Sequence, residues 1–153
     1  MSEAAPTVTY RLAREDDAPA LAPLLGELGY PATPAELRPR LARLAADPAT
    51  HVVVAVAGDT PVGIGAIHFI GILEGDRPLA ALTLLIVAEA AQGRGVGAGL
   101  VGELEREAVA RKSFAITVHS GRQRIGAHAF YQRLGFELTG ERIRKLLTPD
   151  GGG

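Results

Sequence analysis

AAQGRGVGAGLVGELERE, residues 90–107, sets glycines at four alternate positions, Gly93, Gly95, Gly97 and Gly99, at the mouth of a segment that reads as helix. Glycine is a poor helix former because it loses the most backbone freedom on ordering. A run of it ahead of a helix suits another purpose. The first N–H groups of a helix have no intrahelical partner, and the helix dipole favours negative charge there. Glycine also lets a ligand come close to the backbone. Strand, glycine run, helix is therefore an anion-binding pattern, and the flanking elements decide which anion it suits.

Upstream, LAALTLLIVA (79–88) is apolar on both faces and reads as a central strand. HVVVAVAGDTPVGIGAIHFIGIL (51–73) reads as a hairpin about a GDTP turn, and TVTYRLA (7–13) as a first strand. Between them lie two helices. Leu21, Leu24, Leu25 and Leu28 make one apolar face, with Asp16 or Asp17 as N-cap and Gly29 as stop. The second helix opens on a Thr33–Glu36 capping box with Pro34 at its first position, and buries Leu37, Leu41 and Leu44. Pro23 predicts a kink in the first helix, and Pro39 a kink or break in the second.

Downstream, the glycine run opens a helix to about Arg111 with Val96, Leu100, Val101, Leu104 and Ala108 inward. FAITVHS is a strand, RIGAHAFYQRLG a short helix ending at Gly135, and FELTGERIRKLL a hairpin turned at Thr139 and Gly140. The expected order is βααβββαβαββ. That is an α/β (α+β) fold with a mixed, mostly antiparallel central sheet flanked by helices. It forms one domain over residues 1–153, with 1–6 and 148–153 as flexible tails.

The composition, 47% apolar and 22% charged, is that of an ordinary globular protein. With no cysteine, thiol nucleophiles and thiolate metal sites are excluded. The four histidines, 51, 68, 119 and 128, lack metal-ligand spacing, so no metal is expected. MSEAAPTVTY has no basic start and no apolar run, and no stretch is long enough to span a bilayer, so a cytoplasmic location without membrane association is expected. The net charge of −1 divides unevenly. Residues 111–147 hold eight basic and two acidic side chains, +6, which leaves −7 for the rest. A chain that is net negative with 5% aromatic residues is not expected to bind nucleic acid.

Three phosphate-binding patterns fit a glycine run. The P-loop needs a lysine that is missing here. The dinucleotide fingerprint is met in form by Gly93, Gly95 and Ala98, but the next strand ends TVHSGRQR without the acid that would hold a ribose. The third pattern, Q/R-x-x-G-x-G/A, is met by Gln92, Gly95 and Gly97, with Val87 five residues upstream closing the strand. AHAFYQRLGF (127–136) adds A-x-x-F-Y-x-x-x-G-F. By these two motifs and the element order, residues 8–147 resemble the GNAT superfamily of acetyl-CoA-dependent N-acetyltransferases.

The resemblance implies transfer of an acetyl group from acetyl-CoA to a primary amine of a small molecule or peptide, in a ternary complex. It implies that the backbone N–H groups of Gln92, Gly93, Arg94, Gly95, Val96, Gly97 and Ala98 hold the CoA diphosphate, with charge added by Arg94. It implies a backbone N–H near Ile86 and Val87 for the thioester oxygen and the pantetheine. Tyr131 matches the family's general acid, against the alternative of a packed core tyrosine. Arg124 stands where many relatives have a cofactor-contacting asparagine, and a homodimer is common in the family. One departure concerns the base. Many relatives carry a glutamate on the fourth strand, and this chain offers Leu84. The remaining candidates are Glu74, Asp76, His68, His119 and a water chain, of which His119, ending a strand beside the glycine-rich loop, is preferred over His68. Without a base, the alternative reading is an acyl-CoA-binding sensor of the same fold.

Overall fold

The computed structural model describes residues 7–118, 127–139 and 145–147, and its backbone divides into two compact units, Met1–Arg122 and Gln123–Gly153. In the first unit, β1 (Val8–Leu12), β2 (Thr50–Ala57), β3 (Thr60–Ile70), β4 (Leu79–Val87) and β5 (Ala115–Val118) form one sheet in that order. β1 to β4 pair antiparallel, and β4 pairs with β5 in parallel. The expected 51–73 hairpin is β2–β3, and β4 is interior to the sheet, as its two apolar faces predict.

Helices α1 (Ala18–Glu27) and α2 (Pro34–Ala46) cover one face. Leu21, Leu24, Leu37 and Leu41 pack there with Val52, Val54, Val56, Ile64, Ala66 and Ile86. The other face receives α3 (Val96–Ala110), whose five predicted inward residues are all buried. The glycines of β3 set how close α3 comes. A Cβ on Gly65 would lie 2.9 Å from Leu104 Cδ1, and one on Gly63 3.1 Å from Leu100 Cδ1. Gly99 is packed in the same sense, because the Tyr10 phenol fills the space a side chain would need.

The register holds one irregularity with consequences for the site. Ala66 faces Leu84, but Ile67 faces Leu82, so Thr83 is an extra residue on β4. Such a bulge reverses the side-chain alternation beyond it. Ala80 and Leu82 face α3, whereas Leu84 and Ile86 face α1 and α2.

The helix ends follow local chemistry. The capping box forms: Glu36 N–H donates to Thr33 Oγ1 (3.1 Å) and Thr33 N–H to Glu36 Oε1 (3.0 Å). Asp17 stands at the N-cap of α1, as expected, but its side chain makes no capping hydrogen bond. Its carboxylate accepts from Arg11 Nη1 (2.9 Å), Arg11 Nη2 (2.7 Å) and the Arg14 N–H (2.7 Å) instead. Burial pushes this carboxyl up, yet the Arg11 and Arg14 hydrogen bonds and charges outweigh it and hold Asp17 below the usual carboxylate range. The break expected at Pro39 does not occur, and α1 likewise continues through Pro23. Both prolines and the residues four before them, Pro19 and Ala35, are exposed, so each lost helical bond falls on the solvent side of its helix. α1 and α3 end alike. Tyr30 N–H donates to Leu25 O and Ser113 N–H to Ala108 O, across left-handed residues Gly29 (φ 95°) and Lys112 (φ 61°).

In the second unit, α4 (Ala127–Arg133) closes in the same manner. Phe136 N–H donates to Tyr131 O (3.0 Å) across Gly135 (φ 95°), and the Tyr131 and Phe136 rings meet edge-to-face at 5.5 Å. The expected final hairpin is not seen among the described residues. Residues 136–139 and 145–147 carry no strand, and its turn at Gly140 lies outside them. Phe136 has its N–H engaged in ending α4, which removes it from a ladder. The expected tails 1–6 and 148–153 also lie outside the described residues.

Candidate functional site

β4 runs into a short 3-10 turn at Glu89–Ala91 and then the glycine run. Gly93 (φ 80°) and Gly95 (φ 79°) are both left-handed, and Gly95 is the residue that opens α3. A Cβ built on either meets no atom within 4 Å, so neither glycine is required by packing. They are required by backbone direction, and the space above them is open. The first helical bond of α3 joins the Gly99 N–H to Gly95 O at 2.9 Å. The N–H groups ahead of it, on Val96, Gly97 and Ala98, are those an α-helix leaves unpaired. With the dipole behind them they form an anion-attracting edge. The Arg94 side chain is exposed beside it. The glycines of the run thus serve two purposes: Gly93 and Gly95 turn the backbone, and Gly99 makes room for Tyr10.

The Gln92 carboxamide bends back, and its Nε2 donates to Val87 O at 3.1 Å. This ties the loop to the last residue of β4, a link that sequence spacing does not disclose. The strand it holds has an open edge. β5 pairs with β4 only from Leu79 to Leu82, and among the described residues no strand flanks Leu84–Val87 on that side. Backbone groups alternate along an antiparallel strand. Since the Ala88 N–H donates to Val62 O (2.7 Å), the Ile86 N–H turns toward β3, and those of Leu85 and Val87 turn to the open edge. Of the expected pair Ile86 and Val87, only Val87 presents its N–H there, and Leu85 joins it. The bulge at Thr83 is what the sequence alone lacked.

Tyr131 is half-buried on α4, edge-to-face with Phe130 (5.1 Å) and Phe136, and burial raises its phenol above the usual value. His128 is exposed and shares no hydrogen bond with it. Glu74 and Asp76 are exposed in the loop before β4. His68 is half-buried on β3. His119 and Arg124 lie outside the described residues. Among the described residues, no three His, Asp or Glu side chains gather to hold a metal, and no helix is long and apolar enough to cross a membrane.

A family model described as the acetyltransferase (GNAT) family matches residues 14–136. No curated protein sequence matches the chain. A transcriptional regulator from Bacillus halodurans C-125 is 25% identical with a TM-score of 0.83, over 92% of this chain and 100% of that one. A putative acetyltransferase from Agrobacterium tumefaciens str. C58 is 27% identical with a TM-score of 0.78, over 90% and 99%. An aminoglycoside N-acetyltransferase in complex with CoA shares the fold at 15% identity, with a TM-score of 0.78 over 96% and 99%. The match spans the bulged β4, the glycine run and α4 alike, and on it the chain belongs to the GNAT acetyltransferase family, which uses acetyl-CoA.

Proposed function

We propose that the protein transfers the acetyl group of acetyl-CoA to a primary amine of a small molecule or peptide by direct attack in a ternary complex. The observation that carries this is the left-handed Gly93–Gly95 turn, which opens unpaired N–H groups of α3 onto free space beside the open edge of β4. The diphosphate lies on the N–H groups of residues 92–98, with Arg94 adding charge; a role for Arg124 is carried over from the family resemblance alone. The pantetheine runs along the open edge, and the Leu85 or Val87 N–H donates to the thioester oxygen as it becomes an oxyanion. Tyr131, carried over from the motif match, gives the departing thiolate its proton. Burial raises its phenol, so the proton is in place at neutral pH, while its transfer to the less basic thiolate rests on how closely the two are placed.

A second reading is favoured by one observation: β4 carries no carboxylate from Leu79 to Val87. On that reading the fold binds an acyl-CoA as a sensor, the role in keeping with the regulator from Bacillus halodurans. Thiol release from acetyl-CoA, with mass spectrometry of the products, separates the two over a panel of polyamines, aminoglycosides, aminophosphonates, amino acids and peptide N-termini. Amine-dependent release with an N-acetylated product supports transfer. Tight acetyl-CoA binding with no release on any amine supports the sensor.

A further inference from the structure

We infer that His68 is the base that takes the proton from the acceptor amine, an assignment that rests on the transferase reading above. His68 stands on β3 opposite Thr50 of β2 and Ala81 of β4, on the same face as Ala66. That is the face covered by α1 and α2, and the one to which the bulge turns Leu84 and Ile86.

Among the described strand residues, only two titratable side chains lie on this face, Arg11 and His68. Arg11 is closed on Asp17 by two hydrogen bonds. Tyr10 and His51 belong to the opposite face, under α3. From the elements packed above, α1 carries Glu27 and α2 carries Glu36, Arg38, Arg40 and Arg43, all exposed. Glu15 and Asp16, ahead of α1, are exposed too. None of them shares the sheet surface with the imidazole.

The position suits the task. Directly opposed residues of an antiparallel pair stand about 5 Å apart, and diagonal ones about 7–8 Å, within reach of a long or aromatic side chain. His68 is opposed to Ala81, which offers only a methyl group, and beyond the bulge the next β4 residue on its face is Leu84, opposite Ala66 and beside the strand edge that takes the thioester. No described residue hydrogen-bonds the imidazole, so a ring nitrogen is free to accept. The ammonium gives one proton to His68, and the neutral amine attacks the thioester carbon. The C–N bond forms, the C–S bond breaks, and the second amine proton offsets the one the thiolate gains. His68 then returns its proton to water, so that amide, thiol and one released proton balance ammonium and thioester.

The test compares wild type with His68→Gln and His68→Ala on an alkylamine that the panel identifies. At pH 7 each variant should lose about 10²-fold in kcat, the scale of lost general-base help, with acetyl-CoA affinity by calorimetry unchanged. The loss should shrink as pH approaches the pKa of the amine, and added imidazole should restore part of the His68→Ala rate. Wild-type kcat in both variants overturns the assignment, as does a loss that is independent of pH and not rescued by imidazole. Wild-type protein that binds acetyl-CoA but releases no thiol with any amine overturns the transferase reading and the assignment with it.

Discussion

Substitution at Gly95 distinguishes the proposed diphosphate site from a loop that binds no anion. Its backbone is left-handed, and a Cβ there meets nothing within 4 Å. A side chain is therefore opposed only by backbone strain, about 1–2 kcal/mol for most residues and less for Asn and Asp, which visit this region. Gly95→Asn and Gly95→Asp should both fold with melting temperatures close to each other. They are nearly isosteric, so they differ in charge. A carboxylate about 5 Å from one phosphate charge, at an effective dielectric of about 20, is opposed by about 3 kcal/mol. That is a factor of about 200 in affinity. By calorimetry at low salt, Gly95→Asp should bind acetyl-CoA at least about 10²-fold more weakly than Gly95→Asn. The ratio should contract as added salt shortens the screening length. Equal affinities in two folded variants would show that no anion sits at this helix start, and the ternary-complex mechanism would lose its first requirement.

Other positions give independent checks. Lys112→Gly removes an L-residue from a left-handed helix end and should raise stability by about 1 kcal/mol, or about 3 °C in Tm, after the entropy glycine adds to the unfolded chain; an unchanged melting curve counts against the strain. Asp17→Asn strands Arg11 and should destabilise by about 3 kcal/mol in denaturant titrations at pH 7. Because the folded Asp17 pKa is depressed, its stabilisation is present above the unfolded value near 3.9 and lost as pH falls through the folded one. The gap between wild type and variant should therefore close below about pH 4, and a gap constant with pH contradicts this. Gln92→Met keeps length but loses the donor to Val87 O, and should weaken acetyl-CoA binding about threefold to tenfold, the value of one hydrogen bond. Tyr131→Phe should lower kcat by about 10²-fold at unchanged acetyl-CoA affinity; wild-type kcat at matched stability removes Tyr131 from the mechanism.

What the sequence discloses and what it conceals differ by physical cause. Periodicity reads helices well when one face is apolar, and the five inward residues of α3 were legible for that reason. Capping chemistry is local, so Thr33 and Glu36 were legible too. Asp17 stands at the N-cap, as an acid before a helix suggests, but its carboxylate is taken by two hydrogen bonds from Arg11, a strand residue six positions earlier, which no local capping pattern discloses. Lys112 carries no signal, since a lysine in a left-handed helix end looks like any surface lysine.

The site suffered most from one residue. A period of two places Ala80, Leu82, Leu84 and Ile86 on a common face of β4. The extra residue, Thr83, divides that set between the two faces of the sheet. It thereby decides that Leu84 looks toward α1 and α2 and that Leu85 and Val87 turn their N–H groups to the open edge. A threonine within an apolar strand gives no warning of a bulge, because the pattern on either side of it is unbroken. Once the bulge is in place, the lack of a carboxylate on β4 has a different meaning. On the proposed mechanism the base is then to be sought on whichever strand shares the reoriented face, and among the described strand residues the titratable side chains there are Arg11, closed on Asp17, and His68 of β3.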